Sequence, residues 1–134
     1  MTDVRLIVAA AALFAAAPAL AALPQAAATT AMPKGVAANG AKLFVACKTC
    51  HVTTAGVNRI GPSLHAVVGR KAGTIPNFNY SAANKASGLV WTPAELFVYL
   101  ENPRKVIPGT KMSYAGMKKP QDRADLIAYL QTQK

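Results

Sequence analysis

Within five residues, Cys47-Lys48-Thr49-Cys50-His51 brings together two thiols and an imidazole. Thiols three positions apart share one turn of helix, where each can add to one of the two vinyl groups along a single porphyrin edge. The histidine directly after the second thiol is carried beneath the ring toward iron, which accepts imidazole as a proximal ligand. Its other ring nitrogen needs an acceptor to hold the ring in place. The spacing therefore predicts covalent haem attachment through Cys47 and Cys50, with His51 on the iron. Three other chemistries match less well. A redox-active Cys-x-x-Cys pair belongs in a strand-helix setting beside a parallel sheet, which this sequence does not offer. A zinc site could count Cys47, Cys50, His51 and His65 as ligands, but His51 abuts Cys50 and the remaining spacing is not that of a finger. A structural disulfide between the two cysteines would close a tiny loop with little entropic benefit.

A second axial ligand must come from elsewhere, and the four methionines narrow the choice. A thioether opposite histidine favours ferrous iron and raises the potential. Of the four methionines, Met1 and Met32 fall in the N-terminal leader and lead-in. Met112 ends the irregular run Pro108-Gly109-Thr110-Lys111-Met112, and Met117 follows five residues later, before Lys118 and Lys119. Either could be a filler of core gaps. The residues alone leave the two open.

The elements that must position these groups read as helices joined by long loops. No strand-like alternation of useful length and no repeat at solenoid periods is present. A first helix is predicted from about Val36 to Lys48, where Gly40, Phe44 and Cys47 share one face and Gly40 would admit close approach of another helix. Thr92-Pro93-Ala94-Glu95 supplies an N-cap, a proline at the first helical position and a carboxylate at the third. Leu96, Phe97, Tyr99 and Leu100 follow as its apolar residues, and Pro103 stops it. The last helix is predicted from Pro120 to about Thr132, with Leu126, Ile127, Tyr129 and Leu130 as its buried stripe and Asp122 and Asp125 near its positive end. A short turn of helix is expected at Ser81. The loops 52–80 and 104–119 are long enough to suggest function, and both would be well covered by wrapping a large flat ligand.

The 134 residues suffice for one domain, and part of that length is expected to be an export signal. Arg5, the apolar run Leu6 to Ala17 and the small residues around Ala19-Leu20-Ala21 follow the order of a secretory leader, which sets residues 1–22 as a signal peptide. A retained membrane anchor is the competing reading, since the apolar stretch extended to Leu23 approaches the roughly 20 residues needed to span a bilayer. The Ala-, Thr- and Pro-rich segment that follows makes 23–35 a disordered lead-in, and 36–134 the folded domain. Formal net charge is +10, and removing the leader takes away only Asp3 and Arg5, so the basic character belongs to the domain. Such a field suits acidic protein faces, nucleic acid or anionic lipid, and composition does not choose among them.

From about Gly40 to its end the chain resembles class I cytochromes c of the mitochondrial and bacterial periplasmic electron-carrier type. The likeness runs through Cys47 to His51, Gly61-Pro62-Ser63-Leu64, Gly69-Arg70-Lys71, Tyr80 to Asn84, Trp91, Tyr99 to Pro103, Pro108 to Met112 and Arg123 to Leu130. It implies an all-α cytochrome c fold, with packed N- and C-terminal helices plus shorter helices and long loops wrapped around one covalent haem. It also implies that Met112, rather than Met117, faces His51 across the iron, and that Pro62 offers its carbonyl to His51. Tyr80, Trp91 and Arg70 would face the haem propionates, with Asn84, Tyr99 and Thr110 in the polar network of the propionate and Met side. Gly40 and Phe44 would cross Leu126 and Tyr129. On their own terms Trp91 and Tyr99 read as core aromatics and Arg70 as a solvated charge. The chain departs from the family pattern in three places: the segment between His51 and Pro62 is one residue shorter than in the mitochondrial form, Tyr114 stands where Phe is usual, and Ala46 stands where lysine is frequent.

The same resemblance places Lys42, Arg59, Arg104, Lys105, Lys111, Lys118 and Lys119 around the exposed haem edge. It implies a soluble periplasmic monohaem carrier, not an enzyme. Its partners would be acidic docking faces of a cytochrome bc-type complex or dehydrogenase, and of a terminal oxidase or photosynthetic reaction centre. A monomer is expected. The rival class is a small haem enzyme, a peroxidase or gas-binding protein, in which Met112 detaches from the iron. A nucleic-acid binder has only the charge in its favour.

Overall fold

Helix α1, Ala37–Leu43, has no capping side chain at its own start, because Val36 occupies the N-cap. The N–H of Val36 itself is met from the other end of the chain. In the computed structural model, which describes residues 31–134, Val36 N donates to Asp125 Oδ1 at 2.8 Å and Asn39 Nδ2 to Asp125 Oδ2 at 3.3 Å. Gln121 Nε2 adds a third donor to the same carboxylate at 2.8 Å. Asp125 lies one turn inside α5, Pro120–Gln131, and serves the positive end of α1 rather than that of its own helix. The expected leader and residues 23–30 of the lead-in lie outside the described residues. Just before Val36, the Lys34 carbonyl also contacts α5, accepting from Gln121 Nε2 at 2.9 Å.

The two terminal helices come close because glycine permits it. A Cβ on Gly40 would run into the Asp125 carbonyl, and one on Gly35 into that of Ala124. Beside this crossing Phe44 meets Tyr129, ring centroids 5.2 Å apart at 46°. Leu126 and Ile127 are among the most deeply buried side chains.

The helix predicted to Lys48 tightens early. After Leu43 the chain makes a 3₁₀ turn, Phe44–Ala46, and Cys47 N donates to Phe44 O at 2.8 Å. Three residues per turn bring Cys47 onto the side of Phe44. Ser81 caps α2, Ala82–Ala86, by accepting from Asn84 N at 3.1 Å. Thr92 caps α3, Pro93–Glu101, by accepting from Glu95 N at 3.1 Å, as the sequence signals. Pro103 does more than stop α3: it opens a short helix, α4, Pro103–Val106, with Asn102 Oδ1 accepting from Lys105 N at 3.2 Å. A proline fits that first position because its missing N–H would be unpaired there anyway. Among the described residues the β pairing is a single isolated bridge, Lys71 with Val90, so the architecture is all-α as expected.

Two outcomes follow for the helix pair. Gly40→Ala forces the crossing apart at a cost of about 2 kcal/mol or more. Thermal unfolding followed by circular dichroism should then show a Tm lower by roughly 10 °C. The hydrogen bonds from Val36 and Gln121, with that from Asn39, hold the Asp125 carboxyl below its ordinary 3.8, while burial pulls the other way. A depressed folded value means stabilisation that is complete above the ordinary value and is lost as pH falls through the folded one. Asp125→Asn should therefore be less stable than the parent at neutral pH, with the gap closing below about pH 4. A pH-independent gap in denaturant titrations would show that the carboxylate charge contributes nothing.

Candidate cofactor site

The turn after the 3₁₀ segment presents the reactive side chains. Cys50 N and His51 N both donate to Cys47 O, at 3.1 and 2.9 Å, which wraps the motif around a single turn. Both cysteines are free thiols and half-buried. Burial, and after it the neighbouring Cys50, push the Cys47 thiol up. A redox-active Cys-x-x-Cys pair needs the opposite shift, toward thiolate. The zinc reading also fails, since no three His, Cys, Asp or Glu side chains gather as a metal site among the described residues.

His51 is oriented from both sides. Its Nδ1 lies 2.8 Å from Pro62 O, and because a carbonyl only accepts, Nδ1 carries the proton and Nε2 keeps its lone pair. Burial lowers the pKa of the imidazole, partly offset by this hydrogen bond, so the neutral form is favoured. Gly61 lies against the ring, and a Cβ there would collide with it. Its N–H donates to Cys50 O at 2.8 Å, which ties the Gly61-Pro62 segment to the motif.

Two adjoining cavities meet at this histidine, of about 750 and 990 Å³ counted to their open mouths. Cys47, His51, Leu100 and Met112 line both. The inner cavity is walled by apolar side chains of the 3₁₀ turn, α3 and α5, among them Phe44, Leu96, Leu126 and Leu130. The outer one opens past Ile60, Lys111 and Tyr114. Met112 is held by two contacts. Tyr99 Oη donates to Met112 Sδ at 3.3 Å, and Thr110 Oγ1 accepts from Met112 N at 3.2 Å. Met117 lines neither cavity.

Of the other residues expected around the cofactor, Pro62, Arg70, Tyr80, Asn84, Trp91 and Tyr99 line the inner cavity, and Thr110 lines neither. Thr110 instead stands behind Met112, hydrogen-bonded to Tyr99 as well. Trp91 packs on Tyr99 with ring centroids 4.6 Å apart. Burial pushes the Tyr99 phenol up, and the bond with Thr110 works against it. Arg70 is less a free surface charge than a clasp: Nη1 donates to His65 O at 2.7 Å and Nη2 to Ser63 O at 2.9 Å. Asn84 is buried, and its Oδ1 has no partner. An unpaired acceptor on an apolar cavity wall is costly unless a ligand group answers it. That orphan, the two thiols, the imidazole with Nε2 free and the Met112 thioether on the same lining together fit a covalently held haem.

Tyr114 lines the outer mouth, its phenol pushed up by burial and then by Cys47 and Asp122. Lys42, Arg59, Arg104, Lys105, Lys111, Lys118 and Lys119 are all exposed. Lys111 alone among them borders a cavity, and its Nζ crosses to Asn79 O at 3.0 Å. Ile60, 76 % exposed, gives that mouth an apolar lip. The resemblance names Gly61 and Ser63 without a role; the fold sets Gly61 beside the imidazole and buries Ser63 fully, with Oγ donating to Thr54 O at 2.6 Å. Arg123 is likewise named without a role, although a charge one turn before Leu126 and Ile127 on the buried stripe is an available signal.

Known proteins place the chain. Residues 37–134 match the cytochrome c family model. Cytochrome c2 of Rhodopila globiformis is 53 % identical over 76 % of this chain and 97 % of its own length. Cytochrome c of Trypanosoma brucei brucei is 65 % identical over 59 % of this chain and 85 % of its own. The solved structure of cytochrome cH from Methylobacterium extorquens superposes with a TM-score of 0.71 at 45 % identity, covering 73 % of this chain and 99 % of that one. A slot built for haem, a Cys-x-x-Cys-His turn on its edge and relatives of this kind lead to one conclusion: the chain belongs to the cytochrome c family, electron carriers rather than enzymes, whose haem c is covalently bound.

Proposed function

We propose that this protein is exported, loses residues 1–22 as a signal peptide and works in the periplasm. There it would shuttle single electrons from a cytochrome bc-type complex or dehydrogenase to a terminal oxidase or photosynthetic reaction centre. When bound, the haem supplies a one-electron ferric/ferrous couple. Cys47 and Cys50 would hold it as thioethers, with His51 Nε2 and Met112 Sδ as the iron ligands. The observation that carries the reading is that His51 and Met112 border both cavities, so this chain would supply both protein ligands to a haem held there.

The chain's own residues then perform a carrier's tasks. Pro62 O and Gly61 fix the imidazole, and Tyr99 and Thr110 hold the thioether, so little has to move when the iron changes charge. This double hold on Met112 speaks against the enzyme reading, in which Met112 must leave. The apolar walls keep water from the inner slot. At the outer mouth, Ile60 and the exposed basic side chains provide a face on which an acidic partner can land and leave.

With a net charge of +10, encounter should be steered by long-range attraction. The bimolecular rate of electron transfer to bacterial membranes carrying bc-type and oxidase complexes is expected to fall about tenfold or more as salt rises from about 0.01 to 0.3 M. A rate independent of salt would remove the basic docking face from the account.

A further inference from the structure

Between Thr110 and Met117 the backbone that carries Met112 has almost no hydrogen bonds of its own. Among the described residues, Ser113, Tyr114, Ala115 and Gly116 make no backbone pairing, and Met112 N finds only the Thr110 side chain. Where Met112 sits is therefore decided by how the two ends of this stretch are tied. The far end is tied firmly. Met117 N donates to Leu100 O at 2.7 Å, Lys118 Nζ to Glu101 O at 2.7 Å, and Gly116 packs so tightly on the Glu101 carbonyl that no Cβ would fit.

Arg123 is the buried hub of that anchor. It is 3 % exposed, and its Nη1 donates to both Met117 O and Lys118 O, at 2.8 and 2.9 Å. Its Nη2 reaches Glu101 Oε2 at 3.3 Å, and the guanidinium lies 4.3 Å over the Phe97 ring. Burying a cation is costly unless it is paired and hydrogen-bonded, and here the compensation comes from the Met-bearing segment on one side and α3 on the other. A lysine could not reproduce a planar fork that serves two carbonyls and a carboxylate together.

We infer that Arg123 is a positioning residue for the thioether ligand: by clamping Met117 and Lys118 to the end of α3, it keeps Met112 against the slot although it touches neither Met112 nor the cavities. The inference rests on the reading of Met112 as an iron ligand. With Arg123 weakened, the far end of the stretch loosens and an external ligand competes more easily for the position of Met112.

The test uses the haem-loaded protein and imidazole as the competing ligand. Arg123→Lys, Arg123→Gln and the milder Glu101→Gln are compared with the parent, with Asp125→Asn as a variant that weakens the fold away from the clamp. The ferric parent should show the Met-iron charge-transfer band. In Arg123→Gln that band should weaken and imidazole affinity should rise roughly tenfold, as expected for the loss of charged hydrogen bonds. Arg123→Lys should fall between, and Asp125→Asn should lower Tm with both readouts unchanged. If Arg123→Gln does not fold, Glu101→Gln carries the test, with a smaller rise in imidazole affinity. Variants that lose Tm while band and imidazole affinity stay at the parent's values would overturn the inference and leave Arg123 a purely structural residue. A parent without the band would instead overturn the Met112 assignment itself.

Discussion

Where the 3₁₀ turn after α1 and the apolar faces of α3 and α5 part, they leave a slot that their own side chains do not close, and most of the structure answers to that slot. Phe44 turns toward it from the 3₁₀ turn, Leu96 and Leu100 from α3, and Leu126 and Leu130 from α5, and Trp91 and Tyr99 pack together beside it. A domain of about 100 residues buries a limited share of its surface, so a large flat apolar group in the middle supplies core that the chain lacks. The loops gain their order the same way. Residues 52–80 contain no long helix or sheet, yet Ser63, Arg70 and Pro62 tie them by specific hydrogen bonds around one wall.

The slot depends in turn on the crossing of the terminal helices. Two glycines let α5 lie directly on the start of α1, and one carboxylate, Asp125, receives the Val36 N–H and the Asn39 side chain from that start. The 3₁₀ turn that leaves α1 then carries Cys47 to the cavity edge. Chain ends far apart in sequence thus fix the place of the attachment motif. Charge is arranged by the same division: Arg123 is held inside by paired groups, while the seven basic side chains expected at the docking face stay in solvent.

Much of this was legible in the residues. Caps announce themselves locally, so Thr92 and Ser81 marked their helices correctly, and Gly40 signalled a close approach because little else justifies glycine on a buried helix face. The cysteine-histidine turn is a local constellation and reads directly as haem attachment. What escaped was what depends on tertiary neighbours. Asp125 reads as a charge near its own helix start, and only the packed partner shows that it caps α1. Lys48 was expected to end a continuous helix, but the tighter turn at Phe44 answers to the position Cys47 must reach. Pro103 reads as a stop, and its second role as the start of α4 depends on Asn102 supplying the cap. Residue chemistry left Met112 and Met117 open; the resemblance chose Met112, and in the fold only Met112 lines the cavities.

The central claim is a closed centre with a protein ligand on each face of one covalent haem, and ligand replacement tests it most directly. Visible spectra of the haem-loaded protein in both redox states, with pyridine haemochrome quantitation, should be recorded for the parent, Met112→Ala and Met117→Ala. The account predicts one thioether-linked haem per chain in all three, with the Met-iron charge-transfer band present in the parent and in Met117→Ala and lost in Met112→Ala. Survival of the band in Met112→Ala, or its loss in Met117→Ala alone, would contradict it.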